Sequence, residues 1–264
     1  MSSMMTILAP AKSMDMDQSS NLIDSSRPRL GTSTKQLAEE LRGYSAKRLG
    51  SLMSISDKLS TLNQERWKHF GERSNPRGPA AICFRGDVYQ GLEAWTLDKR
   101  SLAWAQDHVR ILSGLYGLLR PMDVIQPYRL EMGTKLKTDQ GSNLYEFWDS
   151  AITKTLKKDL QAVKAKTLVN LASDEYSKSV QLDDLGVDII NVKFLQKDGG
   201  KEKFISFFAK RARGLMARWM SENRPRTVAD LAGFDFEGYR LNKSSSSDGE
   251  LVFTRPKPAA KKVG

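Results

Sequence analysis

Eight side chains in this 264-residue sequence have the chemistry to hold or process a phosphate-bearing substrate: Lys12, Lys58, Tyr128, Arg129, Glu131, Ser173, Glu175 and Lys210. Tyr128, Arg129 and Glu131 fall in Gln126-Pro127-Tyr128-Arg129-Leu130-Glu131-Met132-Gly133, an extended, proline-led run. There a guanidinium can clamp a phosphate through two parallel hydrogen bonds while the phenol and the acid orient it. The same residues read equally well as an ordinary Arg–Glu ion pair. Ser173 and Glu175, with Asn170 and Tyr176, follow the apolar run Thr167–Ala172. Polar groups at the carboxyl end of a buried strand are frequent site residues in α/β folds, and they also serve to cap the next helix. Lys12 follows Pro10, and Lys58 stands in Ile55-Ser56-Asp57-Lys58. A lysine in a pocket can bind phosphate or, once burial lowers its pKa, act as a nucleophile; an exposed one is merely solvated.

A second set of residues points to nucleic acid. Gly114 and Gly117 lie three apart in Ile111-Leu112-Ser113-Gly114-Leu115-Tyr116-Gly117-Leu118-Leu119-Arg120-Pro121. Each glycine inside a helical pattern costs about 1 kcal/mol relative to alanine, so a purpose is expected. One purpose is a helix-hairpin-helix-like turn that aims backbone N–H groups at phosphates without reading bases, with Arg120 beside it. The other is close packing. Lys203, Lys210, Arg211, Arg213, Arg218, Arg224 and Arg226 stand against Glu222 alone between positions 203 and 226, and Arg255, Lys257, Lys261 and Lys262 face no acid after position 250. These two segments hold nearly all of the formal net charge of +11. Surplus charge this focused suits an anionic partner, of which double-stranded DNA is one. Lys210, Arg211, Arg213 and Arg218 would neutralise phosphates; about five such contacts imply a slope of log K against log salt near −4 to −5.

Composition removes other classes. The lone Cys83 forbids an internal disulfide framework, and with only His69 and His108 a zinc site of ordinary composition cannot be assembled. No spacing of Asp57, Asp87, Glu131 and Glu175 identifies an iron site. No Walker loop, nucleophile elbow or dinucleotide fingerprint occurs, so no cofactor is expected. The chain has 39% hydrophobic residues and a mean hydropathy of −0.48. It contains no apolar run of the roughly 18–20 residues that a membrane span requires, which points to a cytoplasmic protein.

These groups need a scaffold. Thr6–Leu8 reads as a buried strand, the apolar positions from Leu37 to Trp67 as helices, Ala81–Phe84 as a central strand and Arg85–Gly91 as a turn with an extended piece. Leu102 to Arg120 carries one face of a helix, and Leu144 to Leu160 another. Ile189–Leu195 and Lys203–Phe208 flank a hairpin at Lys197-Asp198-Gly199-Gly200; a helix from about Ala209 to Glu222 and a last strand Glu250–Phe253 follow. The expected architecture is one mixed α/β domain over residues 5–255, a central mixed sheet flanked by helices, with a basic, disordered tail over 256–264.

The stretches Ala9–Lys12, Ile55–Lys58, Phe84–Tyr89, Leu112–Gly117, Gln126–Gly133, Asn170–Tyr176 and Gly249–Phe253 together resemble the YaaA family of bacterial peroxide-stress proteins. The resemblance spans about residues 5–255. It implies a cytoplasmic protein that helps cells survive hydrogen peroxide by limiting free iron and the damage iron does to DNA. It also implies an α/β fold with a positively charged cleft, a helix-hairpin-helix-like element and DNA binding, but no fixed reaction. Arg85 stands where the family often has lysine. Two functions follow: a stress protein binding DNA with little sequence preference, or an enzyme acting on a nucleotide-like or damaged-DNA substrate in a pocket formed by Lys12, Lys58, Arg129, Glu131, Glu175 and Lys210.

Overall fold

The apolar run Met4-Met5-Thr6-Ile7-Leu8 lies in the central strand of the protein and is buried along its length. The computed structural model describes residues 3–17 and 22–257. Its main sheet contains β1 (Ser3–Leu8), β2 (Val109–Ser113), β3 (Gly117–Leu119), β4 (Ala165–Asn170), β5 (Asp188–Asp198), β6 (Lys201–Lys203), β7 (Arg240–Leu241) and β8 (Glu250–Pro256). The order across the sheet is β7-β8-β5-β4-β1-β2-β3, with β6 paired to β5. The inner pairings from β8 to β2 are all parallel, whereas β2–β3, β5–β6 and β7–β8 are antiparallel. Parallel strands covered on both faces need continuous apolar sequence, which explains the unbroken runs in β1, β2 and β4. The mixed α/β architecture with a central mixed sheet is as the sequence predicts.

From β1 the chain leads to β2 on one side of the sheet; from β4, beside β1, it leads to β5 on the other side. That reversal opens a crevice beyond the carboxyl ends of β1 and β4, the place where open α/β sheets bind ligands. The segments leaving those ends carry Lys12 and Ser173 respectively.

Several local expectations give way. The stretch Leu102 to Arg120 is not one helix: Lys99–His108 is helical, with Asp98 accepting from the Ser101 N–H, and Val109–Leu119 forms the β2–β3 pair. All five β2 residues are buried, and a continuous apolar run satisfies a helical face and a two-sided strand equally. The helix-hairpin-helix-like element expected at Ser113–Gly117 is therefore the buried turn of a β-hairpin. Ala81–Phe84 is not a central strand. Ala80–Cys83 makes a single helical turn after Pro79, and Phe84–Arg85 pairs with Ser13–Met14 outside the main sheet. Asp87–Leu92 is helical rather than extended. The helix expected over Leu144–Leu160 breaks at Asp149, whose φ is 39°, into Leu144–Trp148 and Ala151–Ala162. Lys203–Phe208 is extended only at its start, because the long basic helix already begins at Ser206 and runs to Asn223. Two residues of the expected tail are held against the sheet: β8 reaches Pro256, and Lys257 Nζ donates to Asp198 at 3.1 Å. Lys261 and Lys262 lie outside the described residues.

Away from the crevice, Arg110 of β2 is buried and donates from Nε to Asp159 Oδ2 at 2.6 Å, while Arg29 grips both oxygens of the same carboxylate. Burial pushes the Asp159 carboxyl up, but the two arginines outweigh it and hold the group below its ordinary range. A depressed carboxyl stabilises the fold above its unfolded pKa of about 3.9, and that stability is lost as pH falls through the folded value. Asp159→Asn leaves Arg110 buried without its anion and is expected to cost about 3–5 kcal/mol in urea unfolding at pH 7. The gap between wild type and variant should narrow below about pH 4; a gap unchanged at pH 3 would contradict this assignment.

Candidate functional site

The crevice holds a cavity of about 260 Å³. Four parts of the chain build it: Ala9–Ser13 after β1, Arg85–Tyr89, Tyr128–Glu131, and Leu171–Tyr176 after β4. The helix Ser206–Asn223 closes it with Lys210 and Arg213. Of the eight side chains singled out for chemistry, seven line this one cavity: Lys12, Tyr128, Arg129, Glu131, Ser173, Glu175 and Lys210. Lys58 does not. It is exposed at the start of the helix Asp57–His69 and is absent from the lining.

Glu131 is the hub of the polar wall, its two oxygens taking Lys12 Nζ at 2.6 Å and Arg129 Nη2 at 3.1 Å. Glu175 accepts from the Gly133 N–H at 2.9 Å and so ties the two loops together. Ser173 precedes the helical turn Asp174–Ser177, yet its hydroxyl makes no capping bond there. The inner wall is aromatic. Tyr89 OH donates to Ala9 O at 3.1 Å and Tyr128 OH pairs with Ser113 Oγ at 2.7 Å, so both rings are held with their hydroxyls committed. Burial pushes both phenols well above their ordinary pKa, so neither supplies a base at neutral pH.

The cations are unevenly satisfied. Arg85 donates to Ile82 O, Phe84 O and Asp15, and lies 4.4 Å from the Trp95 ring centroid. By contrast, the Nε atoms of Arg129 and Arg213 are buried and have no hydrogen-bond partner among the described residues. Burial pushes the Arg213 guanidinium down from its usual value, with only Asp174 drawing it back. Five cations, Lys12, Arg85, Arg129, Lys210 and Arg213, face three carboxylates, Asp87, Glu131 and Glu175, so the lining is net positive.

The other residues expected to bind nucleic acid sit elsewhere. Arg211 pairs with Glu237 at 2.6 Å and donates to Gln90 O. Arg218 pairs with Glu222 and reaches Leu92 O, Glu93 O and Thr96. Arg120 is bound to Asp123 and Arg27 O. Gly114 and Gly117 are buried packing positions. A Cβ on Gly114 would overlap Leu130 O, directly behind the Arg129–Glu131 wall, and one on Gly117 would lie 2.9 Å from the Trp148 ring. Gly114 thus lets the wall approach β2 instead of offering its own amide to a phosphate.

Arg85 and Tyr89 were missed as site residues, and Asp87 was weighed only as a metal ligand, although Gly86 beside them marks the turn with a φ of 136°. Cys83 is buried, its thiol pushed up to about 11 by burial, and little thiolate is present at neutral pH. His108 is structural: its Nδ1 lies 2.9 Å from Met4 O and its ring stacks on Trp104. Among the described residues no helix is long and apolar enough to cross a membrane, and no three His, Cys, Asp or Glu side chains gather as a metal site.

The sequence profile of the family described as "Peroxide stress protein YaaA" matches residues 4–245. A UPF0246 protein of Phenylobacterium zucineum is 48% identical over 255 residues, covering 97% of this chain and 96% of that protein. A UPF0246 protein of Idiomarina loihiensis is also 48% identical over 255 residues, covering 96% and 98% respectively. One from Caulobacter vibrioides is 45% identical over 255 residues, covering 97% of this chain and all of its own.

Proposed function

The chain belongs to the YaaA family of peroxide stress proteins, and from that premise we propose that it is a cytoplasmic protein that binds DNA with little regard to base sequence. It places one nucleotide unit in the crevice, and so limits the damage that iron and peroxide do to DNA. The observation that carries this reading is the gathering of Lys12, Arg129, Lys210 and Arg213 from distant parts of the chain into one net-positive cavity. Contacts of that kind recognise phosphate and carry no base code. Beside Lys210 on the same helix Phe207 is 51% exposed, and Phe204 just before the helix is 61% exposed. Exposed aromatic faces next to a cationic site stack bases of any sequence.

Because Arg211 and Arg218 are engaged within the protein, the footprint is smaller than the sequence alone implies. Arg129, Lys210 and Arg213 converge on one cavity and neutralise about two phosphate charges there, which predicts a slope of log K against log salt near −1.8 for duplexes of any sequence. Fluorescence anisotropy between about 50 and 200 mM salt measures it. Lys210→Ala should reduce the slope by about 0.9, whereas Arg218→Ala should leave it unchanged. A flat salt response would remove the reading.

An enzymatic reading is favoured by one detail, the Ser173 hydroxyl and the Lys12–Glu131 pair lining the same cavity. If Lys12 attacks the aldehyde of an abasic nucleotide, loss of water gives an imine, and borohydride reduces it to a stable amine adduct. The adduct should vanish in Lys12→Ala and persist in Lys58→Ala; an adduct that survives Lys12→Ala would exclude this chemistry.

A further inference from the structure

The two guanidinium groups with an unsatisfied Nε specify more than a general affinity for anions. Arg213 donates to no described residue, and its Nε is fully buried. Arg129 spends one nitrogen on Glu131 and leaves its buried Nε free. Arg213 is half-buried and only Asp174 lends it an attractive charge, so part of its desolvation cost is left unrepaid. An anion entering the cavity would recover that cost. Glu131 already offsets Lys12 and part of Arg129, so the charge offered to a ligand comes chiefly from Arg213, the free edge of Arg129, and Lys210 at the rim.

The ligand's charge and shape follow from this set. A phosphodiester in an intact strand carries one negative charge and is flanked by sugars on both sides. A terminal phosphomonoester carries about −1.5 to −2 near neutral pH and presents three acceptor oxygens. Two guanidinium forks and an ammonium match the second group better, since each fork takes two oxygens in parallel. The cavity, about 260 Å³ with buried Tyr89, Tyr128, Leu171 and Tyr176 as its inner wall, has room for one end of a strand. It lies near the lower limit of ordinary small-molecule pockets, roughly 300 Å³.

We propose that the crevice selects the terminal phosphomonoester of a DNA strand, the group exposed at a broken end, over the phosphodiester of a continuous backbone. This rests on the DNA-binding reading above and names the part of DNA that the site takes. The test uses internally labelled blunt duplexes of one sequence bearing hydroxyl ends, 5′-phosphate ends or 3′-phosphate ends. Anisotropy titrations with the full chain should show at least tenfold tighter binding of one phosphate-ended duplex than of the hydroxyl-ended one. In Arg213→Met and in Arg129→Met the three affinities should converge to within about twofold, with thermal melts showing that both variants remain folded.

Binding of all three duplexes with equal affinity by the wild type would overturn the proposal and leave the DNA-binding reading intact. A parallel calorimetric titration with a deoxynucleoside monophosphate and a dinucleoside phosphodiester covers the other case. Monophosphate binding lost in Arg213→Met, with no duplex bound, would overturn the DNA reading while upholding the phosphomonoester site. Binding of neither would overturn both.

Discussion

Arg213→Met is expected to raise the melting temperature while weakening DNA binding roughly 30-fold or more, a pairing that a merely structural residue does not produce. The gain comes from removing a half-buried guanidinium whose Nε no described residue satisfies. Replacing buried charges by apolar groups of similar volume is neutral or stabilising by about 1–4 kcal/mol. In a chain of this size each kcal/mol corresponds to about 2–4 °C. The loss comes from removing a desolvated charge from its anion, which costs about 2–5 kcal/mol. Thermal melting and anisotropy on the same preparation measure both. A fall in melting temperature with binding retained would show that Arg213 holds the fold and not the ligand.

Gly214→Ala is expected to lower both quantities together. The helix Ser206–Asn223 meets the short helix Asp87–Leu92 at two facing glycines: a Cβ on Gly214 would overlap Val88 O, and one on Gly91 would overlap Arg211 O. The obstruction in each case is backbone, which cannot rotate out of the way. Forcing atoms into such a contact costs about 1–3 kcal/mol and occasionally more. Because Asp87 and Val88 line the same cavity as Lys210 and Arg213, separating the helices also disturbs its wall. A drop of roughly 5–10 °C with weaker DNA binding is the expected outcome. Gly31→Ala, where a Cβ would meet nothing within 4 Å, should change neither. Unaltered binding in a destabilised Gly214→Ala would separate the helix contact from the site.

What the sequence disclosed was chemistry more than geometry. Lys12, Arg129, Glu131, Ser173, Glu175 and Lys210 stand out because each is a charged or hydroxyl group close behind an apolar run or a proline, and such positions fall at element ends. Their meeting in one crevice depends on strand order, which no local pattern encodes. The basic helix was legible as a helix. Its division into Lys210 and Arg213 toward the cavity and Arg211 and Arg218 toward Glu237 and Glu222 was not, because partners distant in sequence decide which cation is free. Gly114 and Gly117 misled for a related reason. Their spacing in an apolar run allows a helical turn, yet the run is long enough to be buried as a strand on both faces, and pairing with β1 settles the choice. Lys58 follows a serine and aspartate that start a helix, and nothing local says that this helix points its first turn into solvent.

The proposed site requires that Arg129 and Arg213 receive the anion, and arginine side-chain ¹H–¹⁵N spectra test that requirement directly. Titrating the protein with a short phosphate-ended duplex should shift the Nε–H signals of Arg129 and Arg213, assigned through their Met variants, and leave those of Arg211 and Arg218 in place. Shifts confined to Arg211 and Arg218, or none at Arg129 and Arg213 once DNA is bound, would contradict it.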